Sequence, residues 1–187
     1  LVQYADTTLL VDCGFSAREA EKRAQKIGVD ISKLTAIVVT HEHSDHIGGV
    51  NILAKKHQLP VHATPGTASY LSPDIATLIK PFNCHQSFAI NDIGIEPFPV
   101  PHDAREPSQF VFNSGQHRLG LLTDLGMSTP IIEQTLSGCQ ALMLETNHDL
   151  TMLQHGVYPE HLKQRVSSTM GHLNNSQAAE ILNKIDT

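Results

Sequence analysis

The stretch Leu34-Thr35-Ala36-Ile37-Val38-Val39-Thr40-His41-Glu42-His43-Ser44-Asp45-His46-Ile47-Gly48-Gly49 decides how this chain folds. Leu34 to Thr40 is an apolar, β-branched run with the length of a buried strand. Beyond the polar cluster, Gly48 to Lys56 reads as the start of a helix. Three histidines and an aspartate therefore sit where a strand ends and a helix begins, the edge at which α/β folds place their sites. Side chains alternate along an extended segment, so His41 and His43 point to one side and can share a metal. Asp45 and His46 follow where the chain turns, within reach of a second metal. Strand-to-helix loops often carry a histidine or two as helix caps. So many ligands directly after an apolar strand point instead to a two-metal site.

The bulk properties narrow the class. At 187 residues the chain is expected to form a single domain, 1–187, with room for a substantial core. A formal charge of −6 argues against a broadly basic nucleic-acid coat, though not against a local patch. No stretch is long enough to span a membrane, and none is expected as a partner. Three scattered cysteines, Cys13, Cys84 and Cys139, form no CxxC pair and suggest a reduced, cytoplasmic protein. Twelve histidines against three tyrosines and no tryptophan favour metal or acid–base chemistry. The low aromatic content weakens any base-stacking platform. Leu1 to Tyr4 already reads as a strand, paired across Ala5-Asp6-Thr7 with Thr8 to Val11, and no Met precedes it. Ser176 to Lys184 reads as a helix close to the other end. The expectation is a domain lacking segments at both ends.

The two halves share a grammar of hairpin, Asp, helix, strand and polar ligands. Leu10-Val11-Asp12-Cys13-Gly14 is answered by Leu122-Thr123-Asp124-Leu125-Gly126, and Ala36–His43 by Ala141–His148, which sets His43 against His148. Such likeness also arises by chance between βαβ-like units, which are common. Between the halves, Pro60 to Thr64 reads as a strand, Thr67 to Lys80 as helical or irregular and broken by Pro73, and Phe88 to Pro101 as two further strands.

His41-Glu42-His43-Ser44-Asp45-His46 matches His-x-His-x-Asp-His, and the chain thereby resembles the metallo-β-lactamase superfamily. Val11-Asp12-Cys13-Gly14, Pro99-Val100-Pro101-His102-Asp103 and Leu121-Leu122-Thr123-Asp124 look like the family's further acidic and histidine motifs. Leu144-Glu145-Thr146-Asn147-His148-Asp149, Tyr158-Pro159 with Leu162-Lys163-Gln164-Arg165, and Gly171-His172-Leu173-Asn174-Asn175 are similar to one exonuclease-like branch, the YycJ/WalJ-type hydrolases. The resemblance implies an α/β fold, the αββα four-layer sandwich, without its N-terminal strand and C-terminal segment. It implies two divalent metal ions, zinc or manganese. One would be held by His41, His43 and His102, the other by Asp45, His46 and Asp124, with Asp124 as a bridging carboxylate. Asp12 would support the site by accepting an imidazole N–H, although an Asp in an Asp-Cys-Gly setting also makes an ordinary turn. The family takes a last histidine for the second metal from beyond the final helix. The sequence stops short of it, so the second site is expected to be incomplete in this chain, and His172 does not take that slot.

Metals of this kind supply a hydroxide near neutral pH and hold substrate oxygens, which gives hydrolysis without naming the substrate. The complete Asp45-His46 pair favours phosphodiesters, as the resemblance implies. Lys163 and Arg165 are candidate phosphate contacts or simply a solvated helix face. Asp45, His148 and His172 are candidate catalytic groups, the two histidines as donors to a leaving oxygen or a phosphate, or as core or surface histidines. The first expectation is a phosphodiesterase acting on DNA as an exonuclease. A small-molecule hydrolase of a small phosphodiester, thioester or lactone, and a non-catalytic metal-binding module, remain open. Oligomeric state is not legible.

Overall fold

The apolar run before the histidines forms the middle strand of a five-stranded sheet, shorter than its composition suggests. A computed structural model describes residues 1–185. The first sheet holds β1 (Val2–Tyr4), β2 (Thr7–Val11), β3 (Ala36–Val38), β4 (Val61–Ala63) and β5 (Ile79–Pro81), in that order. β1 and β2 form an antiparallel hairpin, and β2 through β5 run parallel. Parallel neighbours need crossovers. These are α1 (Ala17–Lys26), then α2 (Ser44–Ile47) with α3 (Val50–His57), then α4 (Pro65–Ala68) with a 3-10 turn at Pro73–Leu78. All three residues of β3 are buried, as a strand covered on both faces requires. β5 is a strand where the sequence suggested only helical or irregular chain. Pro73 opens a 3-10 turn that runs only to Leu78, and the chain is extended from Ile79.

The second sheet has the order β10-β9-β8-β7-β6. Its strands are β6 (Phe88–Ile90), β7 (Ile93–Pro99), β8 (Ser108–Asn113), β9 (Arg118–Leu122) and β10 (Ala141–Leu144). β6 and β7 pair antiparallel, as do β8 and β9, while β9 and β10 run parallel. α5 (Pro130–Leu136) makes the β9-to-β10 crossover. Three helices follow: α6 (Leu150–His155), α7 (Glu160–Val166) and α8 (Asn175–Lys184). Asn174 and Gln177 close α8 with a reciprocal capping box.

The chain gathers into two compact units, Leu1–Ile95 with Ala104–Ser108, and Glu96–Asp103 with Gln109–Thr187. Each has its own apolar core. In the first, Ile37, Val50, Leu53, Val61 and Ile75 are fully buried. In the second, Val111, Leu122, Leu125, Ile132 and Leu136 are. The shared grammar of the two halves is present, with a register difference. Val11, just before Asp12, pairs with Val38, whereas Leu122, two before Asp124, pairs with Leu144. Continuing that register sets His148 against His41 rather than His43. No helix among the described residues is long and apolar enough to cross a membrane.

One close approach ties the first unit's loops together. The Cys13 N–H donates to the His46 carbonyl at 2.7 Å, and the Gly49 N–H donates to the Cys13 carbonyl at 2.7 Å. Gly14 lies between them, and a Cβ there would overlap the carbonyl of Asp45. Gly14→Ala should therefore destabilise the fold by about 1–3 kcal/mol, the usual cost of overpacking. Urea unfolding of the variant against the parent measures it, and an unchanged midpoint would contradict the packing described.

Candidate metal-binding groups

In the first unit the groups converge on the ends of β2 and β3. β2 delivers Asp12 in a left-handed turn, φ 55°, which suits Asp better than most residues. Its Oδ1 accepts the Thr40 N–H at 2.8 Å, and Oδ2 accepts the Thr40 hydroxyl and His46 Nδ1–H, both at 2.8 Å. Thr40 Oγ1, having given its hydrogen to Asp12, is left to accept from His41 Nδ1 at 3.0 Å. Both imidazoles are thereby set with the proton on Nδ1 and the lone pair on Nε2. His41 is buried and its Nε2 lies 3.0 Å from His43 Nδ1. Two ring nitrogens on one tetrahedral zinc, each about 2.0–2.1 Å from it, stand about 3.3 Å apart, so this pair fits a shared ion. His46 lies 4.0 Å from His41, ring centre to ring centre. Asp45, in the first turn of α2, is exposed, with Oδ2 3.8 Å from His46 Nε2.

Glu42, the one residue of the motif's charged set passed over in the sequence, has a structural partner. Its Oε1 accepts the Arg105 N–H at 2.5 Å, and Thr67 donates to its Oε2 at 3.4 Å. Glu106 beside it accepts the Gly66 N–H at 2.6 Å.

In the second unit, His102 is buried after β7 and donates Nδ1–H to the Gly171 carbonyl at 3.0 Å, with Nε2 3.6 Å from Asp103 Oδ1. Burial holds its pKa below the ordinary imidazole value, against hydrogen bonding from Gly171 and the charges of Asp124 and Asp103. Gly171 is required for this approach, since a Cβ would overlap the carbonyls of Arg165 and Val166. Asp124 also sits in a left-handed turn, φ 50°. His172 Nδ1 is 3.1 Å from Asp124 Oδ1 and 2.7 Å from Glu145 Oε1, and these two carboxylates push its pKa up to about 9. Asp124, Glu145 and His172 can each offer a ligand atom within 4.8 Å of the others.

Glu145 is the residue the sequence reading missed as a site group. Its Oε2 accepts the N–H of Leu125 at 3.3 Å and of Leu173 at 3.1 Å. The signal was present, a carboxylate directly after the apolar strand Ala141–Leu144, as Asp12 follows β2. His148 is half-buried, with Nδ1 3.3 Å from Asn147 Oδ1 and with Nε2 buried and unpartnered among the described residues. Burial first, then the charge of His172, holds its pKa below the ordinary value. The two carboxylates thus favour the charged form at His172, while burial and the His172 charge disfavour it at His148. Lys163 donates to the Gln154 carbonyl at the end of α6 at 2.7 Å. Arg165 forms a two-point pair with Asp103, at 2.6 and 3.1 Å. Both candidate phosphate contacts thus already hold protein oxygens.

A fold built from two sheets that each end in histidines and carboxylates, with His-x-His-x-Asp-His after β3, defines a class, and comparison with known proteins agrees. The family model described as "Beta-lactamase superfamily domain" matches residues 7–187, and the chain belongs to that family. Its particular relatives include the exodeoxyribonuclease YycJ of Bacillus anthracis, 38% identical over 91% of this chain and 66% of that protein. The exodeoxyribonuclease WalJ of Streptococcus pneumoniae serotype 2 is 34% identical over 93% of this chain and 67% of that protein. The chain spans about two thirds of the length of these curated relatives. Among solved structures, the metallo-β-lactamase fold protein YhfI from Bacillus subtilis matches with a TM-score of 0.71 at 22% identity, over 97% of this chain and 72% of that one. The fold expected from the sequence, that of the metallo-β-lactamases, is therefore the fold of the chain.

Removing the Asp12 carboxylate should loosen a metal without removing any donor atom proposed for it. Asp12→Ala is expected to weaken metal affinity about 10–100-fold, the typical cost of losing an outer partner of a ligand. Competition with a chelator, read by metal analysis, measures the shift. Parent-like retention would show that the Asp12–His46 bond does not orient a ligand.

Proposed function

We propose that the chain is the hydrolytic core of a metal-dependent phosphodiesterase acting on DNA as an exonuclease. The observation that carries this reading is the His41–His43 pair with His46 tethered by Asp12, in a chain sharing 38% identity with a named exodeoxyribonuclease. In this reading the two units work as one hydrolase domain. His41, His43 and His102 hold one divalent ion, and Asp45, His46 and Asp124 hold the other, with zinc or manganese as the candidates. When bound, such ions supply a nucleophile near neutral pH and neutralise charge on the scissile phosphate.

The chain's own groups divide the remaining work. Asp12, through Thr40 and His46, engages Nδ1 of both His41 and His46 and so assigns Nε2 as the ligand atom of each. The Gly171 carbonyl does the same for His102. His172 takes its charge from Asp124 and Glu145 and presents Nε2–H to a phosphate oxygen. Three buried free cysteines suit a reducing cytoplasm, the location we assign.

A second reading is favoured by one observation. Lys163 and Arg165 are engaged with Gln154 and Asp103, so neither stands ready for the flanking phosphates of a polymer. That arrangement suits a small phosphodiester. Purified full-length protein, loaded with zinc or manganese, should hydrolyse both 5′-phosphorylated duplex DNA and bis-p-nitrophenyl phosphate, and Asp124→Ala should abolish both. Replacing Lys163 and Arg165 together by Ala should impair DNA cleavage far more than aryl ester cleavage, and flatten its salt dependence. Equal effects would select the small-molecule reading, and no hydrolysis of either ester would overturn both.

A further inference from the structure

Away from the histidine cluster, the first unit gathers aromatic rings that its composition makes scarce. His62 on β4 and Phe88 on β6 stack with centroids 5.4 Å apart and planes 9° from parallel. Phe82 stacks on the same Phe88 at 5.2 Å and 25°. These rings line a cavity of about 370 Å³ that also presents Lys80, Asn83 and Gln86. That volume lies within the range of about 300–1,000 Å³ typical of small-ligand sites.

The polar groups around the rings are set for a ligand. Lys80 pairs with His62 across β5 and β4, and its ammonium makes no hydrogen bond or ion pair among the described residues. Asn83 Oδ1 accepts the His85 N–H at 2.9 Å, and the Gln86 N–H donates to the Asn83 carbonyl at 3.0 Å. This turn holds the two carboxamides at the cavity while leaving the Asn83 NH₂ and the whole Gln86 amide available. Burial, then the charge of Lys80, holds the His62 pKa below its ordinary value, so the ring in the stack is neutral. A flat neutral ring with hydrogen-bonding edges and an adjoining anion matches all of these at once. An aliphatic ligand would leave the amides unused, and a cationic one would meet Lys80.

We propose that this cavity is a nucleobase subsite for a strand engaged at the first unit's histidines, with Lys80 on the adjoining phosphate. His62 pairs with Val38, three residues before His41. At a strand rise of about 3.3 Å per residue the cavity therefore lies roughly 10 Å along the sheet from the first ligand. The proposal rests on the DNA reading for its choice of polymer.

The test uses full-length, metal-loaded protein and phosphorothioate single strands of about a dozen nucleotides carrying one abasic site at successive positions. At one position, loss of the base should weaken binding about 5- to 150-fold, the span of a single base–aromatic stack. Phe88→Leu should erase that penalty, Phe88→Tyr should restore it, and Lys80→Gln should weaken all strands and flatten the salt dependence. Lys80 is exposed, so its variant reports even where Phe88→Leu fails to fold. Absence of a position-specific penalty, its persistence in Phe88→Leu, or no binding of any strand would overturn the subsite. Hydrolysis of bis-p-nitrophenyl phosphate in the same preparation separates the two ideas. Hydrolysis with no abasic penalty keeps the hydrolase and removes the subsite. A penalty without hydrolysis does the reverse.

Discussion

The ordering of the first unit's histidines depends on one half-buried carboxylate. Asp12 accepts from the Thr40 backbone, the Thr40 hydroxyl and the His46 ring, so the end of β2, the end of β3 and α2 meet at two oxygen atoms. Hydrogen bonds to a charged group contribute about 1.5–3 kcal/mol each. The left-handed backbone at Asp12 costs about 1–3 kcal/mol, which these bonds offset. The strain turns the side chain back across β3 instead of letting it continue along β2. Through Thr40 the same carboxylate also bears on the tautomer of His41.

The second unit solves the same problem one strand over. Asp124 repeats the left-handed turn, yet the carboxylate that collects backbone N–H groups is Glu145, just after β10. Glu145 fixes His172 from one side while Asp124 reaches it from the other, which makes that imidazole a cation. In the first unit the Asp12 carboxylate holds the His46 ring by its Nδ1–H. In the second, two carboxylates hold a charged one.

Charge placement also separates what the chain holds for itself from what it offers. Arg165 and Lys163 brace the segments around His102 and α6, and Glu42 braces the 104–108 loop. Lys80, beside stacked rings, is the kind of cation left for an incoming anion. A net charge of −6 is thus compatible with phosphate recognition, because recognition depends on where the uncommitted cation sits and not on the sum.

The sequence by itself determined the strand, the cluster of candidate ligands after it and the family. A buried strand demands a continuous apolar run, and a metal site demands donors at close spacing, and both are local properties of residues 34–46. The repeat of Asp, helix and strand was legible for the same reason, although its register was not. Register is set by which residues pair across neighbouring strands, Val11 with Val38 and Leu122 with Leu144, and local composition does not encode that pairing. Only the tertiary structure decided that Glu145 gathers three donors, that Arg165 belongs to Asp103, and that Phe82, Phe88 and His62 share one cavity. Each of those facts depends on a partner at least 20 residues away or on a different strand. Hydrogen-bond satisfaction and ring stacking act over a few ångströms in space, and the distance along the chain says nothing about them.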